Sequence, residues 1–349
     1  MKQTKKIGLL LVLISIMLFS IACQKDKKQD TNKEYITKTS FKLNTVVTIT
    51  IYDKQEEYLL EESMKLCDRY ESIFSRTKET SELYQFNHGL LDTDSTERNT
   101  AVLSSDLVDL INRGLSYGVL SNGAFDITVA HLAELWNFTG ESPSVPSKES
   151  IDALLPEIDY TKVTVSDNQV SLDDSSMAMD LGGIAKGYIA DRIKEYLKSE
   201  GVKSAIINLG GNVLCIGEKP DGSPFHVGIQ KPFADRNETI AVMDIRDKSV
   251  VSSGIYERFF TQDGKLYHHI LNPSTGYPYD TNLVSVTIIS DESVDGDGLS
   301  TSCFALGLEE GMKLIDSING VHAVFITSDY ELHYSNGFFD DIPVNYAEH

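Results

Sequence analysis

Cysteine is scarce in this chain, and none of it is spaced for cross-linking: there are four cysteines in 349 residues and no C-x-x-C. Cys67, Cys215 and Cys303 sit in apolar contexts and form an odd set. Buried free thiols are therefore expected, and a disulfide framework or a thiolate zinc site is disfavoured. Positive charge is also short, with 31 Lys and Arg against 52 Asp and Glu and a formal net charge of −21. That balance argues against nucleic acid as a partner and against electrostatic docking to a membrane. The chain has no G-x-x-x-x-G-K-[ST], no G-x-G-x-x-G and no G-x-S-x-G. The usual nucleotide-hydrolase, dinucleotide-fold and serine-esterase readings lose their support with those motifs. Internal repeats are absent as well, and outside one polar N-terminal stretch there is no low-complexity tract.

The uncharged run from Ile7 to Ala22 is preceded by Lys2, Lys5 and Lys6 and followed by Cys23 and the polar stretch QKDKKQDTNK. That pattern is an export signal and not a domain element. Ala22 directly before Cys23 points to cleavage there and lipid attachment to Cys23; a marginal membrane span is the alternative. The segment resembles a bacterial lipoprotein signal, with Ser20 where leucine is usual. The expected division is a signal peptide over 1–22, lipidated Cys23 and a polar linker over 23–34, and a single domain over 35–349. Cleavage removes three lysines and leaves a still more acidic soluble domain, tethered outside the cytoplasmic membrane. Roughly 300 residues suffice for a large core.

Alternation of β-branched residues in FKLNTVVTITIY (41–52) predicts a strand, and QEEYLLEESMKLCDRYESIFS (55–75) has helical spacing. Turns are expected over RTKETSELYQFNHG, and helices over Ser105 to Leu120 and in the segment that carries Trp136. Strands follow near 161–165 and 169–172, then a helix from about Ala185 to Ser199 that Gly201 stops. A series of short strands separated by turn residues comes next, ending in LVSVTIIS (283–290). Another helix, and a helix and strand pair over about Glu309 to Thr327, close the pattern. Mixed elements with several antiparallel hairpins indicate an α+β fold of largely antiparallel sheets with packed helices, not a doubly wound parallel sheet. The first strand and two helices could form a separate lobe.

Several constellations could carry chemistry. In MDLGGIAKGYIAD (179–191), Gly182 and Gly183 precede a helix start and let backbone approach a ligand. The segment is either a phosphate-binding turn or an ordinary tight turn into a helix. In DGDGLSTS, Asp297 and Thr301 are four apart and share a helical face. Two oxygen ligands there suit Mg²⁺, which completes its shell with water and substrate phosphate; the alternative is that Asp297 caps the helix. An EF-hand is excluded, because Leu299 and Leu306 stand where oxygen ligands are required. In YHHILNPSTGYP (267–278), strand alternation lets at most one of His268 and His269 enter a given site. A neutral imidazole there could take the proton from an attacking hydroxyl during phosphoryl transfer. SNGAFDITV (121–129) reads as a helix-entry turn capped by Asp126 or Thr128, and INLGGNV (207–213) as a hairpin or a second backbone approach to ligand.

From about Phe41 to Thr327 these pieces also fall in a known order. KLNTVVTI, SIFSRTKETSELYQFN, SNGAFDITVAHLAELW, MDLGGIAKGYIAD, INLGGNV, VGIQKP, VVSSGIYERFF, HILNPSTGYP and DGDGLSTSCFALG together resemble the family of FAD:protein FMN transferases, the ApbE lipoproteins. The resemblance implies a single ApbE-like, T-fold-related catalytic domain and a Mg²⁺-dependent reaction. FAD is cut at its pyrophosphate, FMN is joined by a phosphoester to a threonine or serine of a partner flavoprotein, and AMP leaves. Carried over by position, FAD contacts fall on Leu43, Thr77, Ala124, Phe125, Asp126, Asp180, Lys186 and His269. The metal falls on Asp297, Thr301 and the carbonyl of Gly183, and the catalytic pair is His269, as general base, and Asp297. Leu43 and Asn44 replace a frequent Met-Gly, Thr77 stands in place of a tyrosine that packs on the flavin, and Gly296 and Gly298 stand where alanine is common, which would loosen that turn.

The acceptor implied is external, since no S-G-A-T or T-G-A-T occurs in the chain. Export implies a cell-membrane location facing outward, with acceptors in membrane or extracellular electron transfer. An FAD pyrophosphatase that releases free FMN and AMP shares all the same ligands. A flavin-binding lipoprotein without catalysis is the other alternative, against which Asp297, Thr301 and His269 argue, because binding alone needs no metal.

Overall fold

Near the start of the domain the β-branched alternation folds as a hairpin and not as the single strand expected over 41–52. The computed structural model describes residues 35–91, 100–235 and 238–346; the signal, Cys23 and the linker lie outside the described residues. Strands β1 (Ile36–Lys42) and β2 (Thr45–Ile51) pair antiparallel, with Lys42 opposite Thr45. Leu43 and Asn44 make the two-residue turn at φ of 53° and 55°, the left-handed geometry that matches the twist of the flanking strands. Without a glycine at this position, the sequence gives no turn signal. The helix expected next is α1 (Glu57–Phe74), which buries Leu59, Leu60, Met64, Cys67, Tyr70 and Phe74 along one stripe. The stretch expected as turns contains a short helix, α2 (Glu82–Asn87), whose start is capped by the Ser81 hydroxyl accepting from the Tyr84 amide. Six residues are too few to show a helical period.

β3 (Thr100–Val102) leads into α3 (Ser105–Leu120), capped by Ser104. Then come α4 (Ala130–Trp136), α5 (Lys148–Leu154), β4 (Val163–Ser166) and β5 (Gln169–Leu172). β3, β5 and β4 form a small sheet in that order. The glycine pair at 182–183 feeds α6 (Ala185–Ser199). That helix ends as expected at Gly201, φ 79°, with the Val202 amide donating back to the Leu197 carbonyl.

β6 (Ser204–Leu209), β7 (Asn212–Gly217), β8 (Phe225–Gln230), β9 (Thr239–Ile245), β10 (Ser249–Gly254), β11 (Phe259–Gln262), β12 (Lys265–His268) and β13 (Leu283–Ser290) follow. Helix α7 (Ser293–Asp316) breaks at Gly307, and β14 (His322–Thr327), β15 (Leu332–Tyr334), α8 (Phe338–Asp341) and β16 (Val344–Tyr346) complete the chain.

Eight strands form one antiparallel sheet in the order β1-β2-β6-β7-β10-β13-β14-β15. The N-terminal hairpin joins this sheet through β2 and β6, so it is not a separate lobe. β13 is buried at every position because both faces of the sheet are covered. On one side Val286, Ile288 and Phe325 pack with Ile189 of α6, Phe304 of α7 and Leu60 of α1. On the other, Ile289, Val324 and Ile326 meet Phe225, Ile229 and Met243 of a three-stranded sheet ordered β16-β9-β8. This layering is the α+β arrangement expected. The three cysteines described are free and buried, and burial pushes the thiols of Cys67 and Cys215 up to about 12.

Where α6 meets α7 the backbones touch. A Cβ at Gly187 would lie 2.3 Å from the Ser293 carbonyl oxygen, a backbone atom that cannot rotate away. Gly187→Ala should therefore destabilise the domain by about 2 kcal/mol despite its better helix propensity, read as a lower urea midpoint with an unchanged slope.

Candidate active site

The starts of α6 and α7 are tied together by two carboxylates. Asp191 of α6 accepts from the Ser293 and Val294 amides at 2.8 and 2.9 Å, capping α7. Asp297 of α7 accepts the Gly187 amide at 2.6 Å, in the first turn of α6. The capping role considered for Asp297 in its own helix is therefore filled by Asp191. Burial pushes Asp191 up to about 7, against the pull of its two amides.

Gly187 is the third residue of α6, where helix amides have no intrahelical acceptor, so Asp297 takes up an amide that would otherwise be unpaired. The Gly183 carbonyl, before the helix start, has no backbone donor among the described residues. Asp297 is buried and its other oxygen accepts from the Asn212 side-chain amide at 3.1 Å. Burial raises its affinity for a proton, and Lys186, the Gly187 amide and Asn212 oppose the rise. Each carboxylate oxygen receives one hydrogen bond and keeps a lone pair. Thr301, one turn further on, meets the Ser253 hydroxyl of β10 at 3.1 Å, and Ser253 also meets Ser300 at 2.8 Å.

Among the described residues no group of three or more His, Cys, Asp or Glu side chains could hold a metal. The donor set implied here is different in kind: one carboxylate, one hydroxyl and one backbone carbonyl. It fits a small hard cation that keeps water and phosphate in its shell. The buried Asp297 charge, which has no ion-pair partner among the described residues, fits it too.

His268 and His269 divide as strand alternation requires. His268 is buried, with Nε2 3.0 Å from the Tyr279 carbonyl and Nδ1 accepting from the Ile270 amide. Both ring nitrogens are thus occupied and the residue is structural. Half-buried His269, just past the end of β12, places Nδ1 3.3 Å from the Arg258 carbonyl. A carbonyl only accepts, so Nδ1 carries the proton and Nε2 keeps its lone pair. Burial first, then the Arg258 charge, push this imidazole down to about 3; Lys186 adds to the same effect. Lys186 thus lies within electrostatic reach of both Asp297 and His269.

Asp180 receives the Gly182 amide at 2.8 Å and the Arg76 guanidinium at 2.7 Å. Arg76 reaches Glu134 as well, at 3.0 Å. This pair draws the loop of exposed Thr77, whose own bonds are to Ser75, towards the glycine pair. Phe125 lies beneath that pair, 3.4 Å from where a Gly183 Cβ would be. The Ala124 carbonyl accepts from the Tyr279 hydroxyl at 2.9 Å. Asp126 is the turn cap considered from sequence: it holds the Thr128 amide and hydroxyl and the Tyr160 amide. It also lines a shallow pocket with Asn122, Tyr160, Pro273 and Ser274, so the SNGAFD and NPSTG turns share one depression. Leu43 packs against the main core from its hairpin turn.

INLGGNV resolves as a hairpin: Gly210 and Gly211 form the turn between β6 and β7, with Leu209 opposite Asn212. Sequence reasoning left Asn212, Arg76, Ser253 and Asp191 without roles. Only Asp191 had a readable signal, a buried-face aspartate one helical turn past Gly187.

A family model described as the ApbE family matches residues 43–325. The chain is 35% identical to an FAD:protein FMN transferase of Klebsiella pneumoniae, covering 83% of this chain and 88% of the relative. It is 32% identical to one of Treponema pallidum, covering 89% and 90%. Among solved structures, the flavin transferase ApbE from Vibrio cholerae superposes with a TM-score of 0.78 at 27% identity, over 88% of this chain and 99% of that one. The ApbE protein from Thermotoga maritima gives 0.78 at 32% identity, over 87% and 98%.

The lowered His269 basicity makes a stability prediction. Between about pH 6.5 and pH 3 the unfolded chain takes up a proton at this ring that the folded chain does not. Folding therefore weakens as pH falls through that window and is unaffected above it. His269→Ala should differ from the parent by a constant amount above pH 7 and gain relative stability between pH 6.5 and 4, measured by chemical unfolding at each pH. A pH-independent difference would contradict the assignment.

Proposed function

Because the chain belongs to the ApbE family, we propose that it transfers FMN from FAD to a threonine or serine hydroxyl of a partner flavoprotein, with Mg²⁺ and release of AMP. The observation that carries this reading is that Asp297, bonded to the start of α6, and His269 both lie within the electrostatic reach of Lys186. Asp297, Thr301 and the Gly183 carbonyl would hold Mg²⁺, which supplies charge neutralisation on the pyrophosphate oxygens when bound.

The chain's own residues do the rest. Lys186 and the first-turn amides of α6 favour a phosphate at that position. Asp180, held by Arg76, and the segments at Leu43, Thr77 and Ala124 to Asp126 would bind the remainder of FAD. His269 Nε2 takes the proton of the acceptor hydroxyl as its oxygen bonds to the FMN phosphorus. The bond from that phosphorus to the bridging oxygen breaks, and AMP leaves with the electron pair. The Nδ1 proton, fixed on the Arg258 carbonyl, leaves the Nε2 lone pair free to accept, and the low affinity of the ring for protons keeps it neutral at physiological pH.

We also propose that lipidated Cys23 tethers the enzyme outside the cytoplasm, where it meets acceptors of membrane or extracellular electron transfer. Labelling with a radioactive fatty acid in cells should be lost in Cys23→Ala.

The direct test incubates the domain with FAD, Mg²⁺ and an acceptor bearing an S/T-G-A-T-like segment. Covalent FMN on the acceptor, seen as a mass increase, and one AMP per transfer are expected. Free FMN with AMP alone would replace the transferase by a pyrophosphatase. Asp297→Ala should abolish AMP release with the fold intact, and His269→Ala should slow transfer by about 10² or more with a smaller effect on FAD binding.

A further inference from the structure

Behind Asp297 runs a chain of buried polar side chains that the proposed reaction does not use. Ser249 of β10 donates to the Ser293 hydroxyl at 2.9 Å, Ser293 donates to the Asn212 side-chain carbonyl at 2.7 Å, and Asn212 donates to Asp297 Oδ1 at 3.1 Å. All four residues are at most 5 % exposed. The direction of every bond is forced from the carboxylate outward. A carboxylate only accepts, so the amide nitrogen of Asn212 must face it; the amide oxygen then faces Ser293, whose proton has to point there. Ser293 is left as an acceptor, and Ser249 supplies its proton.

Three elements contribute to this chain: β10 gives Ser249, the first position of β7 gives Asn212, and the first two turns of α7 give Ser293 and Asp297. Ser249 also has the Val213 carbonyl at 3.3 Å, whereas the side chains of Ser293 and Asn212 bond only within the series among the described residues. Ser249 and Ser293 are small, fully buried groups, where alanine would satisfy packing without the cost of desolvating a hydroxyl. Asn212 opens a strand whose other inward positions are apolar, Leu214, Cys215 and Ile216 among them. A directional series of this kind fixes the rotamer of its terminal carboxylate.

We propose that Asn212, with Ser293 and Ser249 behind it, is the positioning device that holds the Asp297 carboxylate aimed at a divalent cation. The inference rests on the reading of Asp297 as a metal ligand. It predicts that the series tunes cation affinity without touching FAD or the acceptor.

The test measures Mn²⁺ binding to the full domain by electron paramagnetic resonance, with and without FAD, so that turnover is not the readout. Asn212→Ala should weaken Mn²⁺ binding about 10- to 100-fold. Ser293→Ala should weaken it less, and the double variant should bind no worse than Asn212→Ala, because Ser293 acts only through Asn212. Circular dichroism and unfolding midpoints establish which variants fold; if Asn212→Ala does not, Ser293→Ala and Ser249→Ala carry the test. Mn²⁺ affinity unchanged in the folded variants but lost in Asp297→Ala would overturn the positioning role and leave the metal reading standing. Binding that is absent in the parent, or indifferent to Asp297→Ala, would overturn both.

Discussion

The reciprocal capping of α6 and α7 is the constraint on which the site depends. Two helix starts carry partial positive charge and unpaired amides, and both would normally seek water. Here each is closed by an aspartate from the other helix: Asp191 for α7, Asp297 for α6. The arrangement is possible only because Gly187 has no side chain at the crossing. One packing decision therefore makes a close helix contact and a buried carboxylate with spare lone pairs, beside a Gly183 carbonyl that has no backbone donor among the described residues.

The two aspartates show how burial alone does not define a site. Asp191 accepts from two backbone amides and completes a structural joint. Asp297 accepts one amide and one side-chain amide, and Lys186 stands within its field without pairing to it. Burial first, with Arg258 and the same lysine adding to it, keeps His269 neutral. Local charge around the start of α6 is thus set by Lys186 and by the amide end of the helix. The strongly acidic balance of the whole chain belongs mainly to its surface and gives no guide to the site.

Much of this was legible where local chemistry repeats or terminates. Helix α6 runs from Ala185 to Ser199 as its periodicity and Gly201 indicate, and the parity of neighbouring strand residues separates the two histidines. Legibility failed where the deciding interaction is long-range or lacks a marker residue. Leu43 and Asn44 turn without glycine, so a hairpin read as a strand. Asp180 pairs with Arg76 across 104 positions, and Asn212 meets Asp297 across 85; neither distance leaves a spacing in the sequence. Asn212 was hidden further by the glycine turn beside it, which drew attention to backbone while the side chain made the contact.

The glycines that flank Asp297 argue for rigidity and not for the looseness their low helix propensity implies. A Cβ at Gly296 would sit 2.5 Å from the Val251 side chain, and one at Gly298 would sit 2.4 Å from the Tyr117 ring. The space of both side chains is filled by neighbours: Val251 from β10 on one side and Tyr117 from α3 on the other. Tyr117 is anchored in turn by its hydroxyl, 2.6 Å from Asp295. The first turns of α7 are consequently clamped between the sheet and α3, and the entropic cost of two glycines is offset by closer packing. Asp297 lies between those two contacts with its carboxylate fixed from a third direction by Asn212. A carboxylate held in this way cannot move to follow what binds it; under the proposed function the cation and the substrate phosphate must come to Asp297.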